Sequence, residues 1–288
     1  MSEYLKKSLQ EGKAYDQIIP INVSSYSELV EKMKTLPEVK PVSTGLLALD
    51  NLMGGFEEGR MYVLSAPTKQ GKSTMAQSLM YLMAKKGLPS LMFSYEMGWQ
   101  EVTKKFMAMD EKMQKFKIPT ALPLYLPIDL HRGGGELQYQ WLFEAIAKAK
   151  LENGIKLVVI DHLHFLLPLK DYQNTSFIIG GIVREIKRMA VALSIPIILI
   201  AHVQKIKDDK VPDWTDIRDS SFITQEADVV LMMYRLKNKD SATSVTEDSD
   251  VEVYTNKAIL SVELDRVNGR SGKIKLIHNG VMFEPSFV

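Results

Sequence analysis

The chain contains no cysteine and no apolar run long enough to cross a membrane. The first absence excludes disulfide bonds, thiolate zinc sites and thiol nucleophiles, and it is compatible with a reducing compartment. The longest apolar run, IPIILIA at 195–201, is far shorter than the roughly 18 residues of a transmembrane helix. The N-terminus also lacks the apolar segment of a signal peptide. We therefore expect a soluble cytoplasmic protein with no membrane partner.

The chain has almost no net charge. Its 36 lysines and arginines face 35 aspartates and glutamates, which gives a formal charge of +1. This balance excludes a protein coated in positive charge, although a local basic patch can still be balanced by acids elsewhere. With 288 residues, 45% of them hydrophobic, the chain can bury one large core or two modest ones.

Two regions differ in composition. Residues 1–41 form a polar extension with one amphipathic segment, at 25–36, in which Ser25 and Glu28 have the spacing of a capping box. A short lone helix cannot bury its own apolar face, so we expect it to pack on the main domain or on a neighbouring chain. The main domain is predicted to span 42–288.

The main domain has the pattern of an α/β fold. Strand-like and helical segments alternate, and Gly87 is placed to end the first long helix. Because the strands are continuously apolar, we expect a mostly parallel twisted sheet with helices on both faces. The last segments lie close together and Asn279-Gly280 favours a tight hairpin, so antiparallel strands are expected at the C-terminal end. The polar segment 236–256 is predicted to be a mobile surface loop or ribbon.

The segment SAPTKQGKST at 65–74 has the pattern of a phosphate-binding loop, G-x-x-x-x-G-K-[ST], with alanine at the first glycine. In such a loop, backbone N–H groups and a helix N-terminus surround the phosphates. Lys72 would contact the β- and γ-phosphates, and Ser73 would take one Mg²⁺ position. Alanine is the smallest replacement for the opening glycine, so we expect strain of about 1 kcal/mol at most. The predicted nucleotide-binding residues are Ala66, Pro67, Thr68, Lys69, Gln70, Gly71, Lys72, Ser73 and Thr74.

Three polar residues end strand-like runs near this loop. Asp161 ends KLVVID, where a carboxylate can bind Mg²⁺ through water. Glu96 ends FSYE, where it can orient and deprotonate an attacking water, and His202 ends IPIILIAH, where it can contact the γ-phosphate. Taken singly, Glu96 could be an exposed strand-end acid and His202 a core histidine. Because open α/β sheets bind ligands at the carboxyl ends of their strands, the set predicts a hydrolase of ATP, or of another nucleoside triphosphate, with Mg²⁺.

These segments resemble the RecA-like ATPase domain of DnaB-type replicative DNA helicases. FSYEM resembles the motif with the catalytic glutamate, and VVIDHLHFL the segment with the magnesium-binding aspartate. DIRDSSFITQEADVVLMMYR, at 216–235, resembles the most specific block of that family. The resemblance spans about 42–285, and helicases of the Twinkle type and of phage replication share the same core. It implies a RecA-like P-loop NTPase core assembled as a homo-oligomeric ring, a hexamer, with ATP between subunits.

The resemblance also implies that a neighbouring subunit contributes an arginine to the γ-phosphate. Arg266 fits best, although Leu264 occupies the position where the family has a lysine, and Arg270 is the rival. Arg235, after the strand ADVVLMMY, would face the nucleotide base or phosphates.

Single-stranded DNA would pass through the ring centre, where the loops at 170–176 and 204–214 face it. A separate primase and loader are expected partners, and the compartment is the cytoplasm or its equivalent in a phage-infected cell. Two other functions remain open, namely a RecA/RadA-like recombination or repair ATPase and a nucleotide-switched replication accessory factor without motor activity. The predicted DNA-contacting residues are Lys170, Lys205, Lys207 and Lys210.

Overall fold

The structure is a computed structural model that describes residues 24–36, 38, 40–113, 121–130, 136–162, 175–204, 210–217, 220–237 and 254–286. The chain divides into two compact units, Met1–Lys40 and Pro41–Val288. Within the described ranges, no helix combines the length and the apolar character that a membrane crossing requires.

The described part of the first unit is dominated by one helix, α1 (Tyr26–Thr35). Its capping box is confirmed, since the Ser25 hydroxyl accepts a hydrogen bond from the Glu28 N–H and the Ser25 N–H donates to the Glu28 carboxylate. None of its residues is buried, and Tyr26 and Met33 are 83% and 69% exposed. The large apolar side chains of this helix are therefore exposed among the described residues.

The second unit alternates helices and strands. Its helices are α2 (Leu47–Met53), α3 (Lys72–Lys85), α4 (Trp99–Met113), α5 (Glu136–Asn153), α6 (Thr175–Ala192) and α7 (Ser220–Glu226), with a 3₁₀ helix at Trp214–Asp216. Its strands are β1 (Met61–Ala66), β2 (Ser90–Ser94), β3 (Leu124–Tyr125), β4 (Leu157–Asp161), β5 (Ile197–His202), β6 (Val229–Lys237), β7 (Tyr254–Asp265), β8 (Gly272–His278) and β9 (Phe283–Pro285).

All described strands belong to one sheet with the order β3-β2-β4-β5-β1-β6-β7-β8-β9. The strands from β3 to β6 are parallel, and β7, β8 and β9 continue the sheet in antiparallel pairs. Successive residues of β1 point to two separate cores, one with Tyr62 and helices α3 and α4, the other with Val63 and helices α5 and α6. Burial on both faces explains why parallel strands such as β1 and β4 show no alternation of buried and exposed residues. The predicted α/β class, with its antiparallel end, is confirmed.

The hairpin between β8 and β9 differs slightly from the prediction. Pairing stops at His278 and Phe283, so the loop spans 279–282 rather than the two residues of a tight turn. The Asn279 side-chain oxygen accepts hydrogen bonds from the N–H groups of Val281 and Met282, and the Asn279 N–H donates to the Met282 carbonyl at 3.0 Å, so both the side chain and the backbone close the loop. Of the predicted polar ribbon, Lys237 and Tyr254 pair across β6 and β7, and 238–253 lies outside the described residues.

Candidate nucleotide site

The predicted phosphate loop lies between β1 and α3, at the carboxyl edge of the sheet. Gly71 has φ +93° directly before the first helical residue, Lys72, and Lys72 is only 8% exposed. Ala66 is the last residue of β1 and is fully buried, and its φ is not positive. Because only a positive φ would favour glycine there, the expected strain at Ala66 has no basis in this backbone.

The phosphate loop packs against residues from the later strands of the sheet. Gly71 approaches Phe283 so closely that a Cβ on Gly71 would lie 2.8 Å from the ring atom Cε2. The Phe283 N–H donates to the Ser78 hydroxyl of α3 at 3.0 Å. On the other side, the Arg235 N–H donates to the Gln70 side-chain oxygen at 2.8 Å. Contacts from β9 and β6 therefore hold the loop in position.

Asp161, at the end of β4, is the electrostatic centre of the site. It is fully buried, and neither carboxylate oxygen has a hydrogen-bond partner among the described residues. Burial raises the pKa of Asp161, the Ser73 hydroxyl and the Lys72 ammonium oppose that rise, and the nearby Glu96 carboxylate adds to it. These four residues, predicted from three separate segments, therefore lie close enough to interact.

This environment fits a divalent cation. A buried carboxylate without partners is costly unless a positive charge compensates it, and a neighbouring hydroxyl adds a second oxygen ligand. Mg²⁺ typically takes only one or two carboxylates and completes its shell with phosphates and water. Accordingly, the described residues contain no group of three histidine, aspartate or glutamate side chains that could form a complete metal cage.

Glu96 lies beyond the end of its strand. The strand β2 stops at Ser94, whose hydroxyl donates to the Met97 carbonyl and accepts from the Met97 N–H, and so closes the turn that carries Glu96. Ser94 pairs with Asp161 in the adjacent strand, which explains why the two acids interact. The Glu96 side chain is exposed, so water can reach it. Its position is suited to a base, and its role stays a prediction.

His202 ends β5 opposite Ala66, the first residue of the phosphate loop. Its ring contacts the ring of His162 edge-on, with 4.7 Å between centroids. The sequence analysis missed His162, although it directly follows Asp161. Its φ of +75° is unusual for a residue other than glycine.

The three arginines considered for the site have distinct surroundings. The Arg235 guanidinium donates twice to the Thr255 carbonyl of β7, at 2.7 and 3.0 Å. Arg266 is exposed and donates to the Thr224 carbonyl of α7 at 2.8 Å. Arg270 is exposed and lies against Gly54, at the end of α2. Both Arg266 and Arg270 are accessible to another molecule.

Of the predicted DNA-contacting lysines, only Lys210 lies within the described residues. Its ammonium group pairs with the Asp216 carboxylate at 2.6 Å and with Asp213 at 3.2 Å. Both acids raise the pKa of Lys210 and compensate its charge. Lys210 is thus a weaker candidate for phosphate contact than its sequence position indicates. The remaining three, Lys170, Lys205 and Lys207, lie outside the described residues.

Comparison with known proteins gives one consistent family. The family described as the DnaB-like helicase C-terminal domain matches residues 41–124 and 128–284. The chain is 28% identical over 220 residues to the replicative DNA helicase DnaB of Leifsonia xyli. That alignment covers 67% of this chain and 46% of that protein. It is 27% identical over 280 residues to DnaB of Pasteurella multocida, covering 88% and 56% respectively. The chain thus spans about half the length of the curated relatives it matches.

Solved structures show the same fold. A DnaB-like replicative helicase, studied with its primase interactions, superposes with a TM-score of 0.69 at 18% identity, covering 97% of this chain and 71% of that one. A second solved structure, an ATPase domain on its own, superposes with a TM-score of 0.71 at 19% identity, covering 92% of this chain and 100% of that one. The predicted RecA-like fold is therefore confirmed.

Proposed function

This chain belongs to the DnaB-like helicase C-terminal domain family, and on that premise we propose that it hydrolyses ATP to unwind DNA during replication. The observation that carries the proposal is the interaction of buried Asp161 with Lys72, Ser73 and Glu96. A phosphate-binding cation, a metal-binding hydroxyl and a base are the groups that a P-loop hydrolase needs around one triphosphate.

The phosphates would lie against the N-terminus of α3. There the Lys72 ammonium and the partial positive charges of the loop N–H groups would attract them. Asp161 and Ser73 would hold Mg²⁺. The bound ion would neutralise negative charge on the β- and γ-phosphates. Burial of Asp161 suits this role, because neither carboxylate oxygen makes a well-formed hydrogen bond among the described residues, and both are therefore available to a ligand.

Hydrolysis needs a water oxygen to attack the γ-phosphorus while the bond to the β–γ bridging oxygen breaks. Glu96 would accept the proton of that water, and ADP and phosphate would leave. His202, beside the start of the phosphate loop, would contact the γ-phosphate and distinguish ATP from ADP. These two roles divide the chemistry between an exposed group after β2 and a half-buried group at the end of β5, the two strands that flank β4.

A second copy of the chain would complete the site with an arginine, as part of a hexameric ring. Arg266 is our first candidate because its exposed side chain is held by a single hydrogen bond to a backbone carbonyl among the described residues, and Arg270 is the alternative. The exposed apolar side chains of α1 would pack on the adjacent subunit. Single-stranded DNA would thread the ring and contact the loops with Lys170, Lys205 and Lys207.

A separate primase and a loader would be partners, in the cytoplasm or the equivalent compartment of a phage-infected cell. The similarity to a helicase that was studied with its primase supports the first partner.

The decisive experiment measures strand displacement on a forked duplex with ATP, together with particle images. We expect rings that unwind the fork, and Glu96→Gln should bind ATP without hydrolysing it. The matched control is Glu58→Gln, since Glu58 is also an exposed glutamate but precedes β1, at the opposite end of that strand. Filaments on DNA without unwinding would favour the recombination ATPase, and nucleotide binding without turnover the accessory factor. Normal turnover by Glu96→Gln would refute the assignment of the base.

A further inference from the structure

The rings of His162 and His202 meet at the edge of the site, inclined at 64°. They come from the ends of two neighbouring parallel strands, β4 and β5. His162 follows the metal-binding candidate Asp161 directly, and His202 pairs with Ala66 at the opening of the phosphate loop. The contact therefore links the strand end that carries Asp161 with the strand end beside the phosphate loop.

The backbone of His202 is well fixed, but its ring is not fixed by the backbone alone. Beyond His202, Val203 forms a bridge with Ile217, and the Gln204 N–H donates to the Asp216 carbonyl at 2.8 Å. The torsion that turns an imidazole about its last bond is broad, with no sharp rotamer. A neighbouring group must therefore set the orientation in which the ring faces a phosphate.

His162 has the properties of such a neighbour. Its ring makes the edge-on contact while its backbone has φ +75°, and a left-handed backbone in a residue other than glycine persists only where its surroundings hold it. Such backbone conformations are concentrated at active sites and switch regions. His162 is also half-buried, which restricts its ring to few positions.

We propose that His162 is a positioning residue that orients the His202 ring toward the γ-phosphate. This inference rests on the proposed ATPase function, because it assigns His162 no contact with the substrate. A misplacement of a catalytic group by about 1 Å can reduce a rate by about 100-fold, so loss of an orienting ring has a measurable cost.

A double-mutant cycle on ATP turnover tests the proposal. His162→Asn removes the ring and keeps a residue that tolerates the left-handed backbone, and His202→Ala removes the sensor. We expect kcat to fall about tenfold in the first variant, with little change in KM, and about 100-fold in the second. If His162 acts only through His202, the double variant should equal His202→Ala within about twofold. Independent effects that multiply to about 1000-fold, or an unchanged kcat in His162→Asn, would overturn the proposal.

Two further measurements are needed. The first distinguishes loss of the His162 ring from a change in backbone conformation, and the second distinguishes failure of this proposal from failure of the proposed ATPase function. His162→Gly should lose as much kcat as His162→Asn, because glycine removes the ring and accepts a positive φ freely. In the nucleotide-free protein, His162→Asn should shift the NMR signals of the His202 ring, which lies next to the lost ring. Unchanged signals would refute the contact, whereas absence of ATP turnover by the wild-type chain would refute the proposed function instead.

Discussion

Replacing Gly71 by alanine should destabilise the nucleotide-free protein because the phosphate loop has no room above Phe283. A Cβ on Gly71 would lie 2.8 Å from Cε2 and 3.0 Å from Cζ of that ring, and 3.6 Å from the Met233 methyl. Phe283 is only 2% exposed, so its ring cannot move aside easily. The backbone adds a second penalty, since φ at Gly71 is +93°.

The two penalties can be separated by magnitude. A left-handed backbone costs an alanine roughly 1–2 kcal/mol, and forcing an extra methyl group into a packed core costs roughly 1–3 kcal/mol. We therefore expect Gly71→Ala to lose about 2–5 kcal/mol. Gly87→Ala is the matched control, because Gly87 has φ +73° but no atom of the described residues within 4 Å of an added Cβ. It should lose only the backbone part.

The assay is urea unfolding of both variants without nucleotide, compared with wild type. Replacing glycine also restricts the unfolded chain, but that effect is similar in both variants and cancels in their difference. The difference in unfolding free energy should be about 1–3 kcal/mol, and Phe283→Leu in the Gly71→Ala background should recover part of it. Equal losses for Gly71→Ala and Gly87→Ala would refute the argument from Phe283.

Three other changes test other parts of the molecule. Arg266→Ala should leave nucleotide binding by an isolated subunit intact and abolish DNA-stimulated turnover. If Arg270→Ala abolishes that turnover instead, Arg270 is the arginine that the neighbouring subunit contributes. Burial raises the pKa of Asp161, so the folded chain binds its proton more tightly, and stability without Mg²⁺ should fall as pH rises above 3.8, the ordinary aspartate value. Asp161→Asn should remove that fall and raise the melting temperature, and an unchanged pH profile would contradict it. Ser25→Ala removes a cap worth about 1 kcal/mol and should weaken ring assembly in sedimentation while leaving the melting of the ATPase unit unchanged.

The sequence was sufficient for the parts of the site that depend on local order. The phosphate loop and Asp161 lie at strand ends as expected, because parallel strands bring their carboxyl ends to one edge, whereas β2 stops at Ser94, two residues before the predicted strand end at Glu96. Gly87 was correctly expected after the first long helix, and it has the left-handed backbone that such a position favours.

What the sequence could not show depends on contacts between distant segments. The support of Gly71 by Phe283 requires the position of β9, which no local pattern predicts. The left-handed backbone of His162 has no local sequence signal such as a glycine, so the residue looked like an ordinary neighbour of Asp161. The ion pairs of Lys210 with Asp213 and Asp216 also depend on how the described segment 210–217 folds, although both acids lie close by in the sequence. Short elements such as β3 and α2 were also too brief to give a periodic signal.

The central place of β1 in the sheet has a consequence for biosynthesis. It is flanked by β5 and β6, and the Ser65 hydroxyl donates to the Ala201 carbonyl, 136 positions later in the chain. On the ribosome, β1 therefore emerges long before either flanking strand, with both edges unpaired and prone to aggregation. A nascent chain of this topology should engage chaperones during translation, and the proposed nucleotide site can form only after β5 and β6 have emerged.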